Sequence, residues 1–241
     1  MEQELTERIG CIRRQLEDAA MERWGRAPEI IAVSKTVPAP RVNEVKNAGI
    51  RRLGENRVQE ILEKRPYLDA SFQIDLIGRL QLNKVKYIID KVAMIQSLDR
   101  EALAQEIDRR AQQHGLRMPV LIQVNIGDEP QKGGVAVDAL FSFARFCAAL
   151  PGLEVRGLMA IMPDLGDEAA LRPYFMRMRQ LFDALREEAL AGVRMQELSM
   201  GMSGDYLPAA QEGATHVRIG SAIFGRRSTA APQKNLKGEH A

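Results

Sequence analysis

The sequence is poor in the residues that mark several protein classes. It has two cysteines, Cys11 and Cys147, in 241 residues. Their separation matches neither a zinc-ligand spacing nor a redox pair, and isolated cysteines suit a reducing compartment. Aromatic residues make up 5% of the chain, so there are few platforms for stacking nucleic-acid bases. Neither sign of charge dominates. The 34 basic and 32 acidic residues leave a net +2, which argues against a dedicated nucleic-acid binder. No run approaches the roughly 18 apolar residues of a membrane span. The opening MEQELTERIG is charged and has no apolar signal core. The expectation is a cytoplasmic protein with neither a membrane nor a nucleic-acid partner. His114, His216 and His240 are scattered along the chain and suggest no metal site.

What is present is the composition of an ordinary globular protein, 45% hydrophobic and 27% charged. A chain of this length buries most of its unfolded surface without a disulfide or metal staple. Residues 3–24 read as a leading helix, with Leu5, Ile9, Ile12, Leu16, Ala19 and Ala20 near one face. Eight short apolar runs follow: EIIAVSK, RRLGEN, FQIDLIG, VAMIQS, PVLIQVN, EVRGLMAIMP, MQELSMGM and THVRIG. Helix-like stretches separate them. Strands alternating with helices indicate βαβ units and a parallel sheet. Eight units in one chain predict an α/β protein, a single (β/α)8 TIM barrel with an extra N-terminal helix placed to cap the N-terminal end of the barrel. An open doubly wound sheet is the rival. The barrel is expected over 1–225. Residues 226–241 lose apolar periodicity and read as a flexible C-terminal tail.

Barrel active sites form at the C-terminal ends of the strands. Lys35 stands there, directly after the apolar first strand. A lysine at such a mouth is partly desolvated, which favours the uncharged amine, and an uncharged amine attacks aldehydes. A solvated surface lysine is the bland alternative. The loops after strands seven and eight, GMSGD and IGSAIFG, are rich in Gly and Ser. Barrels often bind phosphate with these two loops and an adjoining helix N-terminus, although ordinary turn glycines give the same pattern. Met176 and Met178 read as packing or surface residues of a long helix. Lys84, Lys86 and Lys91 read as a solvated face or a modest anion patch.

The segments IIAVSKTVP, GENRVQE, LIGRLQLNK, QVN, GLMAIMP, LSMGMSGDY and HVRIGSAIFG run from strand one to strand eight. Together they make the chain resemble the pyridoxal phosphate homeostasis proteins, whose fold is similar to the barrel domain of alanine racemase. The resemblance implies pyridoxal 5′-phosphate (PLP) as cofactor, held as a Schiff base on Lys35. It implies that the phosphate lies near Ser203, Gly220 and Ser221, with Arg218 beside the cofactor, Asn56 lining the pocket and Met200 among the cofactor-binding positions. The role it implies is intracellular PLP (vitamin B6) homeostasis, with PLP-dependent apo-enzymes as possible recipients. A racemase needs a second acid–base group, supplied in the related racemases by a tyrosine of another domain. No such domain remains here, so weak or no turnover is expected, and a monomer. Tyr206, after strand seven, is the nearest tyrosine. The alternatives are a small PLP-dependent racemase and a cofactor-free Schiff-base aldolase.

Overall fold

The computed structural model describes residues 2–129 and 133–225. The expected tail, 226–241, lies outside the described residues. The apolar runs form β1 (Glu29–Val33), β2 (Arg52–Glu55), β3 (Gln73–Leu76), β4 (Met94–Leu98), β5 (Met118–Val124), β6 (Leu153–Ala160), β7 (Val193–Met202) and β8 (His216–Ile219). Each strand pairs in parallel with the next, and β8 pairs with β1. The closing register runs from Glu29 beside His216 to Ala32 beside Ile219. That closure excludes the open sheet and defines a (β/α)8 barrel.

The strands are apolar because both of their faces are covered, as in other parallel sheets. Ile30, Ile31, Ala32 and Val33 are all buried. The outer layer contains α1 (Glu2–Trp24), α2 (Ala39–Asn43), α3 (Val58–Lys64), α4 (Val85–Ile88), α5 (Glu101–Gln113), α6 (Leu140–Ala148), α7 (Glu168–Glu187), α8 (Tyr206–Gln211) and α9 (Ser221–Phe224). Asp167 caps α7 by accepting the Ala169 N–H at 3.0 Å. Within α7, Met178 is buried in the core and Met176 is exposed. β6 and β7 shift register between Val155 and Gly157. Gly157 has φ +154°, and a Cβ there would lie 1.8 Å from the Glu197 carbonyl oxygen, so no other residue fits that approach.

The leading helix does not cap the end of the barrel. α1 lies in the outer layer against α8, α9 and the 44–46 turn. The reason is the brevity of α9, which has four residues and leaves the flank beside β8 uncovered. α1 fills that place. Its face of Leu5, Ile9, Ile12, Leu16 and Ala20 is buried, and a large apolar side chain so buried stabilises by roughly 1.5–3 kcal/mol. Polar contacts fix its position. Tyr206 Oη donates to Gln15 Oε1 at 2.6 Å, Trp24 Nε1 to the Gln211 carbonyl at 2.9 Å, and Arg8 Nη1 to the Ile223 carbonyl at 3.2 Å.

One continuous core lies between strands and helices, and a small apolar cluster of Met94, Leu121 and Met159 lies inside the barrel. Much of the remaining interior is polar. Arg52, Asp75, Gln96, Ser199, His216 and Arg218 are all buried.

Candidate functional site

β1 ends at Val33 and passes the chain to Ser34, Lys35 and Thr36. The backbone on both sides of Lys35 is held. The Ser34 N–H donates to the Gly54 carbonyl at 3.1 Å, and Ser34 Oγ donates to Glu55 Oε1 at 2.6 Å. Thr36 has φ +63°, a left-handed conformation that costs a β-branched residue about 1–3 kcal/mol. Its N–H donates to Glu60 Oε2 at 2.7 Å. Lys64 joins these groups, donating from Nζ to the Ser34 carbonyl at 2.7 Å and to Glu55 Oε1 and Glu60 Oε2 at 2.9 Å each. Burial pushes the Glu55 carboxyl above the ordinary carboxylate range, while hydrogen bonds from Lys64 and Ser34 pull it down. The clamp leaves the Lys35 side chain half-buried. Among the described residues, Lys35 Nζ makes no hydrogen bond or ion pair.

Lys35 lines a cavity of about 430 Å³ at the C-terminal ends of the strands, together with Asn56, Ser203, Arg218, Gly220 and Ser221. These six sequence-predicted residues therefore meet at one place. Ser203 Oγ accepts the backbone N–H groups of Gly220 at 3.2 Å and Ala222 at 3.3 Å. The strand-seven loop is tied down by Asp205, whose side chain accepts the Met202 N–H. Asn56 Oδ1 is buried and has no hydrogen-bond partner among the described residues. Among the described residues, no carboxylate lines the cavity.

Arg218 is buried inside the barrel, donating from Nη1 to Ser199 Oγ and from Nη2 to the Ala160 carbonyl, both at 2.7 Å. Burial pulls its pKa down to about 10, partly opposed by Asp205, so it is cationic at neutral pH. The polar chain continues away from the mouth. Ser199 Oγ donates to Gln96 Oε1 at 2.7 Å, and Gln96 Nε2 donates to Asp75 Oδ2 at 2.6 Å. Arg52 Nε then donates to Asp75 Oδ2 at 2.8 Å, and Arg52 Nη1 meets His216 Nε2 at 2.8 Å. This interior chain was not anticipated from the sequence. Its signal was the presence of Arg52, Asp75 and Gln96 within otherwise apolar runs.

Met200 stands apart from the other predicted residues. It is fully buried in the core outside the barrel and does not line the cavity. Side chains alternate along a strand, and Ser199 Oγ bonds groups inside the barrel, so Met200 faces the helices. Met202 and Ile161, which the sequence reading passed over, line the cavity instead. Tyr206 begins α8 and gives its hydroxyl to Gln15 of α1, so it does not face the cavity.

The arrangement presents an unpartnered amine, a guanidinium lacking a carboxylate partner, serine hydroxyls and convergent backbone N–H groups. This set can hold a small molecule that carries both a carbonyl carbon and an anionic group. The sequence model of the family described as "Alanine racemase, N-terminal domain" matches residues 12–228. Fold and site thus define a barrel of the alanine racemase N-terminal class. The alanine racemase of Corynebacterium glutamicum shares that fold, with a TM-score of 0.69 at 18% identity over 92% of this chain and 62% of its own. Among curated proteins, the pyridoxal phosphate homeostasis protein of Aquifex aeolicus is 44% identical over 92% of this chain and 97% of its own. That of Pseudomonas aeruginosa is 38% identical over 95% and 98%. The structure of PipY from Synechococcus elongatus PCC7942 with PLP bound has a TM-score of 0.81 at 34% identity, covering 92% of this chain and 100% of that one. This chain belongs to the family of the pyridoxal phosphate homeostasis proteins.

Proposed function

We propose that this chain binds PLP in the cavity at the barrel mouth, holds it on Lys35 and keeps it available in the cell rather than using it for a dedicated reaction. The observation that carries the reading is the unpartnered Lys35 amine set in one cavity with Arg218 and the Ser203–Gly220–Ser221 loops. The names of the relatives and the bound PLP of PipY support it.

PLP fits the donor set. Lys35 is the residue that would take the aldehyde. Ser203 and Ser221 would hold the phosphate, with the backbone N–H groups of Gly220 and Ala222, now on Ser203 Oγ, close by. Arg218 offsets its negative charge, and the buried Asn56 Oδ1 gains a partner. The bound cofactor supplies an electrophilic carbon conjugated to an aromatic ring.

The racemase reading is disfavoured by the lining. Racemisation needs a second group that moves a proton, and no Tyr, His, Cys, Asp or Glu lines the cavity among the described residues. We further propose one barrel unit over 1–225, acting as a monomer in the cytoplasm and passing PLP to apo-enzymes. Cys11 and Cys147 are free, as a reducing compartment requires. No described helix is long and apolar enough to cross a membrane.

The test is a visible absorption spectrum of the purified protein, then borohydride reduction and peptide mapping. A yellow protein with a pyridoxyl adduct on Lys35 is the expected result. Lys35→Ala should lose the adduct and keep its circular-dichroism spectrum. A protein that stays colourless with added PLP would overturn the reading and favour the cofactor-free aldolase. Alanine racemisation at roughly 1–10³ per second would overturn the carrier role.

A further inference from the structure

The concave surface at this end of the barrel extends beyond the cofactor cavity. Asn56 also lines a second, open cleft of about 920 Å³ between the loops that follow β2 and β3. Among the described residues, four cations line this cleft, Arg57, Arg79, Lys84 and Arg100, and no carboxylate does. Arg57 and Arg79 are exposed and make no hydrogen bond or ion pair among the described residues. Arg100 is held in place by its bond from Nη2 to the Leu80 carbonyl at 2.8 Å and its ion pair with Asp99. Leu82 and Asn83 are shared with a shallower depression of about 390 Å³ that continues onto α5, where its one carboxylate, Glu106, is paired with Arg109 and Arg110. The path therefore runs from the cofactor mouth across the surface, longer than a compact ligand needs.

The lining indicates the kind of occupant. The cations call for negative charge. Gln59, Gln81 and Asn83 carry carboxamides, which both donate and accept hydrogen bonds. That suits a peptide main chain, whereas a bare phosphate cluster would leave the carboxamide oxygens facing an anion. Leu82 is 41% exposed and offers an apolar contact. No aromatic side chain lines the cleft, and the nearby Tyr87 ring has Lys84 Nζ at 5.6 Å and Lys86 Nζ at 4.9 Å from its centroid. Stacking of nucleic-acid bases is thus poorly served.

From this geometry we infer that the cleft is a docking site for an extended acidic segment of a partner protein, placed against the cofactor mouth. The β3 loop is braced on the residue the two cavities share. A Cβ at Gly78 would lie 2.2 Å from the Asn56 carbonyl oxygen, so the two loops touch backbone to backbone. A docked segment therefore lies beside Asn56. Docking stands on the cleft alone, and its use in cofactor transfer rests on the function proposed above.

The experiment measures fluorescence anisotropy of a labelled Asp/Glu-rich peptide of about ten residues carrying one leucine, titrated with the PLP-treated full chain. A Lys-rich peptide of equal length, a single-stranded RNA and tripolyphosphate serve as comparators. The acidic peptide is expected to bind best, and to weaken steeply as salt rises toward about 0.5 M. Arg57→Gln with Arg79→Gln should weaken it about tenfold or more and leave the melting temperature nearly unchanged, since neither side chain makes a hydrogen bond or ion pair among the described residues and Arg57 acts on Glu60 only through space. Equal binding of both peptides, indifference to the double variant, or stronger binding of RNA or tripolyphosphate would each overturn the assignment. The visible spectrum of the same samples reports on Lys35 independently, so failure of docking and failure of cofactor binding are distinguishable.

Discussion

Two arginines stand inside the barrel, Arg52 towards its N-terminal end and Arg218 at its mouth, and their surroundings differ. Both are nearly sealed from solvent, at 8% and 4% exposure. Arg52 has Asp75 at 2.8 Å and Glu197 at 3.0 Å. Burial acts to lower its pKa, but the carboxylates of Asp75, Glu197 and Glu29 outweigh it, and the pKa is raised. Arg218 bonds a hydroxyl and a carbonyl, forms no ion pair among the described residues, and is pulled down by burial. A buried charge is costly unless paired. Arg52 is compensated by the fold itself, whereas Arg218 keeps a charge that an anionic ligand can answer. One end of the interior is thus closed within the fold, and the other borders the proposed site.

The sharpest way to break this comparison is Arg52→Met. It strands Asp75 without its cation, leaves Glu197 the longer contact with Arg156 at 3.8 Å, and should lower unfolding stability by about 3–5 kcal/mol, measured by chemical denaturation. A loss much smaller than that would remove the structural role given to Arg52. Arg218→Met orphans no carboxylate, so it should cost less stability. Its effect should fall on PLP affinity, by roughly 1.5–3 kcal/mol for a charged hydrogen bond, read from absorbance titration. Unchanged affinity would place Arg218 with Arg52 and erase the distinction.

Asp75 sharpens the comparison through pH. Burial pushes its carboxyl from 3.8 up to about 6, against the pull of Arg52 and Gln96. The folded chain therefore binds a proton between those values that the unfolded chain does not, and this group adds stability as pH falls through about 6. Asp75→Asn has no such proton. The stability difference should move in favour of the wild type by about 1 kcal/mol between roughly pH 7.5 and pH 5, seen in paired denaturation curves. Parallel curves across that range would show that Asp75 keeps an ordinary pKa. The smallest effect is expected at the mouth. Ser221→Ala should weaken PLP retention by about 0.5–1 kcal/mol with no change in unfolding, and unaltered retention would remove Ser221 from the phosphate site.

Much of this architecture was legible in the sequence. EIIAVSK marks β1 and THVRIG marks β8 because strands covered on both faces read as short apolar runs. The direction of Met200 is less legible, because a resemblance carries a position and not the face its side chain takes, and the register shift between Ser199 and Met202 sends Met202 to the cavity instead. The position of α1 was hidden for another reason. Its amphipathic face shows that it packs on something, but only the four-residue length of α9 shows where the vacancy is. The pairing of Arg52 with Asp75 depends on how neighbouring strands align in the closed barrel, which no local pattern contains. Lys35 and the loops after β7 and β8 were readable because barrel topology itself sends those positions to the mouth.

The placement of α1 has a consequence for the order in which the molecule assembles. Its hydrogen bonds reach partners 187, 191 and 215 residues further along the chain. During synthesis the helix leaves the ribosome long before the surface it will cover exists. At about 5–20 residues per second, it waits roughly 10–40 s for the part of its cover that α8 and α9 supply. A helix made before the barrel thus closes on elements made after most of it, and its arrival joins the two ends of the barrel sequence.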